Sequence, residues 1–225
     1  MPAKPPMRSI VGAAFVSLDG VMQGPGGPDE DTSGGFELGG WTPAYSDEVQ
    51  GEAMAPLFAE PFDLLLGRRT YDIFAAHWPY RDDDPIGASL NRAAKYVVTS
   101  SREPLSWANS HTINDGLEGV ARLKASDGPE LRVWGSSVLY GGLIARGLID
   151  RLFLMTFPLI LGKGKRLFAN GLPSQALKLV ESKVSPKGVV IAVYEPAGPV
   201  QLGSFGDDEP NEAELARREK MKREG

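Results

Sequence analysis

The sequence predicts an α/β fold on a mixed, mainly parallel sheet. Five short apolar runs alternate with helix-like stretches, and strands this apolar suit a sheet covered on both faces. Two further runs flank a Pro/Gly turn, which adds an antiparallel hairpin at the end of the core. The 225-residue chain is 42% hydrophobic and 24% charged, ordinary for one globular domain with a substantial buried core.

In chain order, Ile10–Ser17 (IVGAAFVS) is the first strand. Residues 24–40 follow with seven glycines. So much glycine favours neither helix nor strand, and the segment reads as a mobile loop, either a lid over a pocket or a tolerated insertion. Residues 45–58 are expected to be helical, Phe62–Gly67 (FDLLLG) a strand, and 70–76 and 87–93 helices. Strand 95–99, helix 117–124, strand 131–135, helix 137–146 and strand Arg151–Phe157 continue the alternation. Leu177–Val184 and 189–194 then bracket the turn Ser185-Pro186-Lys187-Gly188. The core domain is expected over residues 8–198, after a disordered tip at 1–7 and before a charged tail at 199–225, where 211–224 suits a solvated helix.

Composition excludes several chemistries. With no cysteine there is no disulfide, thiolate nucleophile or thiolate metal site, and two histidines, His77 and His111, cannot build a multi-histidine centre. No metal is expected. A net charge of −5 argues against nucleic acid as a partner. The chain lacks an 18-residue apolar run and its first residues lack a secretory apolar stretch, so no membrane association and a cytoplasmic location are expected.

In open α/β sheets ligands bind beyond the carboxyl ends of the strands, where helix N-termini offer free amides. Three predicted strand ends carry suitable residues: Arg68-Arg69-Thr70 after the second strand, Ser100-Ser101-Arg102 after the third, and Ser136-Ser137 after the fourth. An arginine fork grips phosphate oxygens in pairs, and small hydroxyl residues let a phosphate approach helix amides. Each triplet alone reads first as helix capping; together they point to a nucleotide phosphate site. Asp19, in Ser17-Leu18-Asp19-Gly20, is placed either to orient a substrate and relay a proton or to make an Asp-Gly turn. Asp47 and Glu48 are candidate acids or partners of a helix dipole. The stretch Gly162-Lys163-Gly164-Lys165-Arg166 suits a tight turn that touches a ligand phosphate. Trp41, Trp78, Trp107 and Trp134 either stack on a ligand ring or belong to the core, and His77 suits a helix terminus.

Several of these elements recur together in one known group. They are Ser17-Leu18-Asp19-Gly20, Leu66-Gly67-Arg68-Arg69-Thr70-Tyr71, Val98-Thr99-Ser100-Ser101, Trp134-Gly135-Ser136-Ser137-Val138-Leu139-Tyr140, Gly147-Leu148-Ile149-Asp150-Arg151-Leu152 and Pro158-Leu159-Ile160-Leu161-Gly162-Lys163-Gly164. In this order, over residues 8–196, the chain resembles the dihydrofolate reductase-like superfamily, in particular the group related to the reductase (RibD C-terminal) domain of bacterial riboflavin biosynthesis.

The resemblance implies a three-layer α/β/α dihydrofolate reductase-like fold, a homodimer, and an NADPH-dependent reductase acting on a small pterin- or pyrimidine-like heterocycle. It assigns Gly67, Arg68, Arg69 and Thr70 to the cofactor phosphates, Thr99, Ser100 and Ser101 to the adenosine phosphate, and Gly135, Ser136, Ser137, Val138 and Leu139 to the pyrophosphate. Asp19 becomes the catalytic candidate beside the nicotinamide, with Gly20 next to it on the substrate side. A likeness of Trp41-Thr42-Pro43 and Asp47 to the first helix of dihydrofolate reductases adds Trp41 and Asp47 as substrate candidates. Riboflavin reductases carry Glu-Gly-Gly where this chain has Trp134-Gly135-Ser136. The rival reading is a non-catalytic nucleotide- or flavin-binding protein on the same fold.

Overall fold

Alternation along the first strand, β1 (Ile10–Ser17), sets the two faces of the sheet. Ile10, Ala14 and Val16 pack to one side with Val120, Leu139, Tyr140 and Leu143. Val11 and Ala13 pack to the other with Leu57, Phe153 and Met155. In the computed structural model, residues 7–59, 61–168, 171–205 and 209–224 are described; the expected tip lies outside them except for Met7.

The remaining strands are β2 (Phe62–Gly67), β3 (Lys95–Val98), β4 (Ser110–Ile113), β5 (Glu130–Val133), β6 (Arg151–Phe157), β7 (Leu177–Val184) and β8 (Val190–Pro196). They form one eight-stranded sheet in the order β4-β3-β2-β5-β1-β6-β8-β7. Pairing is parallel from β4 to β6 and antiparallel for β6–β8 and β7–β8. Helices α4 (Gly116–Lys124) and α5 (Ser137–Ala145) cover one face. On the other lie α1 (Glu48–Met54), α2 (Arg68–Ala75) and α3 (Pro85–Arg92). This is the expected three-layer α/β/α arrangement, mainly parallel with a C-terminal antiparallel hairpin.

Three local readings need correction. The helix expected over 45–58 is three pieces: a 3-10 turn Pro43–Tyr45, α1, and a second 3-10 turn Ala55–Phe58. Asp47 starts α1 anew from extended backbone, its carboxylate accepting from the Gln50 amide at 3.0 Å. Pro56 then denies the chain an amide donor. The strand expected over 131–135 stops at Val133, because Trp134 and Gly135 turn into α5. Strand β4 was not expected: it is short and polar, and it pairs in parallel with β3 at the sheet edge. The charged tail does hold a helix, α6 (Glu212–Glu224), exposed all round and laced with pairs such as Glu214 with Arg217 and Arg218.

One topological feature positions a site. β1 pairs with β5 only through Ile10–Gly12, yet with β6 as far as Ser17. Beyond Gly12 the sheet therefore forks. The buried Tyr140 hydroxyl sits at the apex, 2.7 Å from the Ala13 carbonyl and 2.5 Å from that of Val133, with one proton to donate to either. The chain leaves β1 for β2 on one side and crosses from β5 through α5 to β6 on the other. That is a topological switch point, where doubly wound sheets open a crevice at their carboxyl edge.

Candidate functional site

Two glycines hold the rim of that crevice. β2 ends at Gly67, the N-cap of α2, and beside it the chain leaving β5 runs through Gly135 to Ser136, the N-cap of α5. The Gly67 amide donates to the Gly135 carbonyl at 3.1 Å. A Cβ on Gly67 would lie 2.5 Å from Ser136 Oγ, and one on Gly135 (φ +152°) 2.5 Å from Thr70 Oγ1. Only bare backbone lets the two helix starts come this close. Neither helix is capped by a side chain, and neither carries an acid in its first turn. The first-turn amides of both are thus left for an incoming acceptor, and each such end favours an anion by about 0.3–1 kcal/mol. Ser137 and Val138 lie in the first turn of α5, with Val138 strongly exposed, while Leu139 turns into the core.

The arginines divide between two directions, because successive helix residues point about 100° apart. Arg68 reaches the segment after β3: its Nε donates to Asp72 at 2.9 Å, Nη1 to the Glu103 carbonyl at 3.0 Å and Nη2 to the Glu103 carboxylate at 3.1 Å. In that segment Thr99 Oγ1 accepts from the Ser101 amide and Ser101 Oγ from the Glu103 amide, with Ser100 exposed between them. The three predicted strand ends are therefore contiguous. Arg69 turns the other way and donates to Ser33 Oγ at 2.6 Å, with Asp31 at 3.7 Å. The pair is not a single clamp.

The glycine-rich segment is packed, not loose. Phe36 and Trp41 bury their rings, and Trp41 Nε1 donates to the Gln23 carbonyl at 2.9 Å. Gln23 Nε2 holds the Asp31 and Ser33 carbonyls, and Lys165 Nζ binds Asp31 at 2.5 Å and Ser33 at 2.6 Å. Gly39 has to be glycine because a Cβ would fall 2.5 Å from the Pro28 carbonyl oxygen. Here glycine serves close backbone approach rather than freedom.

The acids also differ from the simplest expectation. Asp19 Oδ1 accepts from Ser17 Oγ at 2.6 Å and the Leu161 amide at 3.0 Å; Oδ2 accepts from the Gly162 amide at 2.9 Å and Arg166 at 3.2 Å. The Ser17 bond foremost, joined by the two amides and Arg166 against the opposing effect of burial, holds its carboxyl down at about 2. Gly20 takes φ +81° in the turn that follows, so the Asp-Gly turn is present. Asp47 caps α1 and accepts from the Lys187 amide at 3.3 Å. Burial pushes it up, but bonds from Gln50, Ser185 and Lys187 outweigh this and hold it low. Trp41 sits edge-on to Phe157, its ring 5.2 Å away, as a core residue. Among the described residues no cluster of His, Cys, Asp or Glu is fit to hold a metal.

Of the aromatic wall of the crevice, sequence reasoning named Trp134, as a ring that stacks on a ligand or belongs to the core, and missed Phe15 and Phe58. Trp134, at the end of β5, stacks on Phe58 (5.2 Å, 13°) and meets Phe15 of β1 at 6.1 Å. It also missed the place of Tyr140 at the fork and the partner of Arg166, which was expected to touch a ligand phosphate and instead binds the Asp19 carbonyl and carboxylate. Val133 facing α5 was the available signal, since its neighbour Trp134 must then face the opposite layer. An apolar cavity of about 240 Å³ between Ile144, Leu152, Phe168 and Tyr194 lies at the far end of α5, away from the rim.

A forked, doubly wound sheet with two uncapped helix starts at its carboxyl edge defines a dihydrofolate reductase-like α/β protein. Within that class the chain belongs to the RibD C-terminal domain family, which it matches over residues 8–191. It is 28% identical to the uncharacterized protein YyaP of Bacillus subtilis (strain 168) over 193 residues, 83% of this chain and 94% of the relative. It is 29% identical to YwjB of the same organism over 133 residues, 55% of this chain and 70% of the relative. Among solved structures, a protein assigned to riboflavin biosynthesis in Shewanella sp. PV-4 superposes with a TM-score of 0.59 at 20% identity, covering 84% of this chain and 99% of that one. The dihydrofolate reductase of Enterococcus faecalis, solved with NADP(H), gives 0.54 at 13% identity, over 84% and 96%. A pyrimidine reductase-like protein of Corynebacterium diphtheriae gives 0.52 at 15%, over 84% and 92%. At these identities the structures speak for the fold.

Proposed function

We propose that this protein is an NADPH-dependent reductase of a small heterocyclic substrate and acts as a homodimer. The observation that carries the reading is the close approach of the α2 and α5 starts, which needs glycine at both Gly67 and Gly135. It leaves two sets of amides, Thr70 and Ser136 on one rim, a concavity suited to a pyrophosphate. Residues Thr99, Ser100 and Ser101, tied to α2 through Arg68 and Glu103, border the adenosine end. A bound dinucleotide supplies the hydride; the chain supplies position and electrostatics.

In this reading Asp19 works as an anion. Its four bonds fix the 161–166 turn against the end of β1, where they orient the substrate side of the crevice. A carboxyl held at about 2 is ionised at neutral pH and is not the proton source, so the proton is assigned to solvent at the open rim. With Asp19 and Asp47 both committed, a protein that binds a nucleotide or flavin without turnover is the second reading.

Titration with NADPH, NADH and FMN, followed by loss of reduced-nicotinamide absorbance over a panel of pterins and pyrimidines, tests both. NADPH is expected to bind and to be oxidised with at least one ring. Arg68→Ala is expected to weaken NADPH about tenfold more than NADH, as loss of a charge-assisted contact to the 2′-phosphate would. Equal losses remove the 2′-phosphate role; binding without turnover selects the second reading.

A further inference from the structure

We infer that Trp134 is a specificity-determining residue whose indole N–H recognises the substrate, and that the ring it receives is planar with an oxo group, a hydrogen-bond acceptor, at its edge. This rests on the reductase reading and names the substrate class of that site.

The argument begins with an unpaired donor. Trp134 Nε1 is buried and has no hydrogen-bond partner; among the described residues the only other buried side-chain atom so placed is Ser110 Oγ. The fold satisfies its other buried indoles. Trp41 Nε1 donates to the Gln23 carbonyl at 2.9 Å, and Trp107 Nε1 to Asn91 Oδ1 at 2.7 Å. Where tryptophan serves packing here, its N–H is answered. Leaving one unanswered is costly, and buried polar groups without partners concentrate where a ligand completes them.

Its place fits that purpose. Trp134 precedes the Gly135–Ser136 rim, stands at the fork where β5 parts from β1, and lies between Phe15 and Phe58. Phe58 rests flat on the indole face and is carried on one 3-10 turn, Ala55–Phe58; because the N–H points outward in the indole plane, a ring that accepts from it meets the indole at its edge, beside the phenyl rather than in its place. The two carboxylates expected on the substrate side are already used: Asp19 holds the 161–166 turn and Asp47 caps α1. A buried free donor complements an acceptor edge and rejects an amino edge, because a mispaired buried group is penalised.

Two pteridines that differ at one ring position provide the test: pterin, with an oxo group, and diaminopteridine, with an amino group there. With NADPH present, wild-type protein is expected to bind pterin about tenfold more tightly. Trp134→Phe keeps an aromatic ring and removes the donor; it is expected to bring the two affinities together while leaving NADPH affinity unchanged. On the wild type, the nitrogen-15 indole resonance of Trp134 is expected to shift with pterin and not with diaminopteridine, a readout that does not depend on the variant folding. A pterin preference that survives in Trp134→Phe, no preference in the wild type, or no binding of either ring overturns the inference. Failure of NADPH to bind would instead overturn the reductase reading.

Discussion

Asp19 is surrounded by donors: a hydroxyl, two amides and a guanidinium. Each of these bonds favours the ionised carboxylate, led by that from Ser17, and the folded protein therefore holds the group at about 2 rather than 3.8. A carboxyl lowered on folding contributes stability above its unfolded value, and that contribution is lost as pH falls through the folded one. Asp19→Asn keeps the shape and removes the charge. The variant is expected to melt below wild type at neutral pH, with the gap closing between about pH 4 and pH 2, as melting curves across that range would record. Turnover of Asp19→Asn is expected to fall through a looser 161–166 turn, with a pH profile parallel to that of wild type. A profile that changes shape would make Asp19 the proton donor after all. The same residue shows the limit of sequence reading: Ser17-Leu18-Asp19-Gly20 announces a turn with a carboxylate, but three of its four donors lie 142 to 147 positions away.

The fork between β1 and β5 depends on one close contact. A Cβ on Gly12 would lie 2.6 Å from Tyr140 Cε1 and 3.0 Å from Leu152 Cδ1. Tyr140 has little room to retreat, being buried with its hydroxyl held at two strand carbonyls. In a strand interior, glycine to alanine ordinarily helps; here overpacking is expected to win, with Gly12→Ala less stable by about 1–3 kcal/mol in urea unfolding. An unchanged or raised midpoint would mean that Tyr140 does not wedge the strands. At this scale much was legible. The apolar runs FDLLLG and RLFLMTF sit inside the sheet as continuous hydrophobic runs should, and Pro186 and Gly188 mark the hairpin. Strand β4 was not legible, because SHTI is edge structure with three of its four residues polar and its pairing comes from β3. Nor were the directions of Arg68 and Arg69, which depend on Glu103 and Ser33, each more than 30 positions away. The glycine-rich segment misled for a physical reason: glycine permits disorder and close packing alike, and Phe36, Gln23 and Lys165 decide between them.

Across the whole sheet the two edges are managed differently. β4 is four residues long, and only Ile113 among them is a large apolar side chain. β7 is eight residues long, exposed throughout, and carries Leu177, Leu179, Val180 and Val184 in the open. Among the described residues no strand pairs with its outer backbone groups. A long edge of this kind invites pairing, and a second copy is its simplest partner because an isologous interface needs only a self-complementary strand. The charges of LKLVESKV are self-complementary. An antiparallel pair centred on Ser182 sets each Glu181 opposite the Lys183 of the other copy and Val180 opposite Val184. Wild-type protein is therefore expected to run by light scattering at twice the 24.2 kDa chain mass. Val180→Lys with Val184→Lys places like charges opposite each other and is expected to return the mass to one chain. NADPH affinity should stay unchanged in that variant, since the rim at Gly67 and Gly135 lies between β2 and β5, four strands away from β7. A wild type that stays at one chain mass, or a double variant that still dimerises, would remove β7 as the interface.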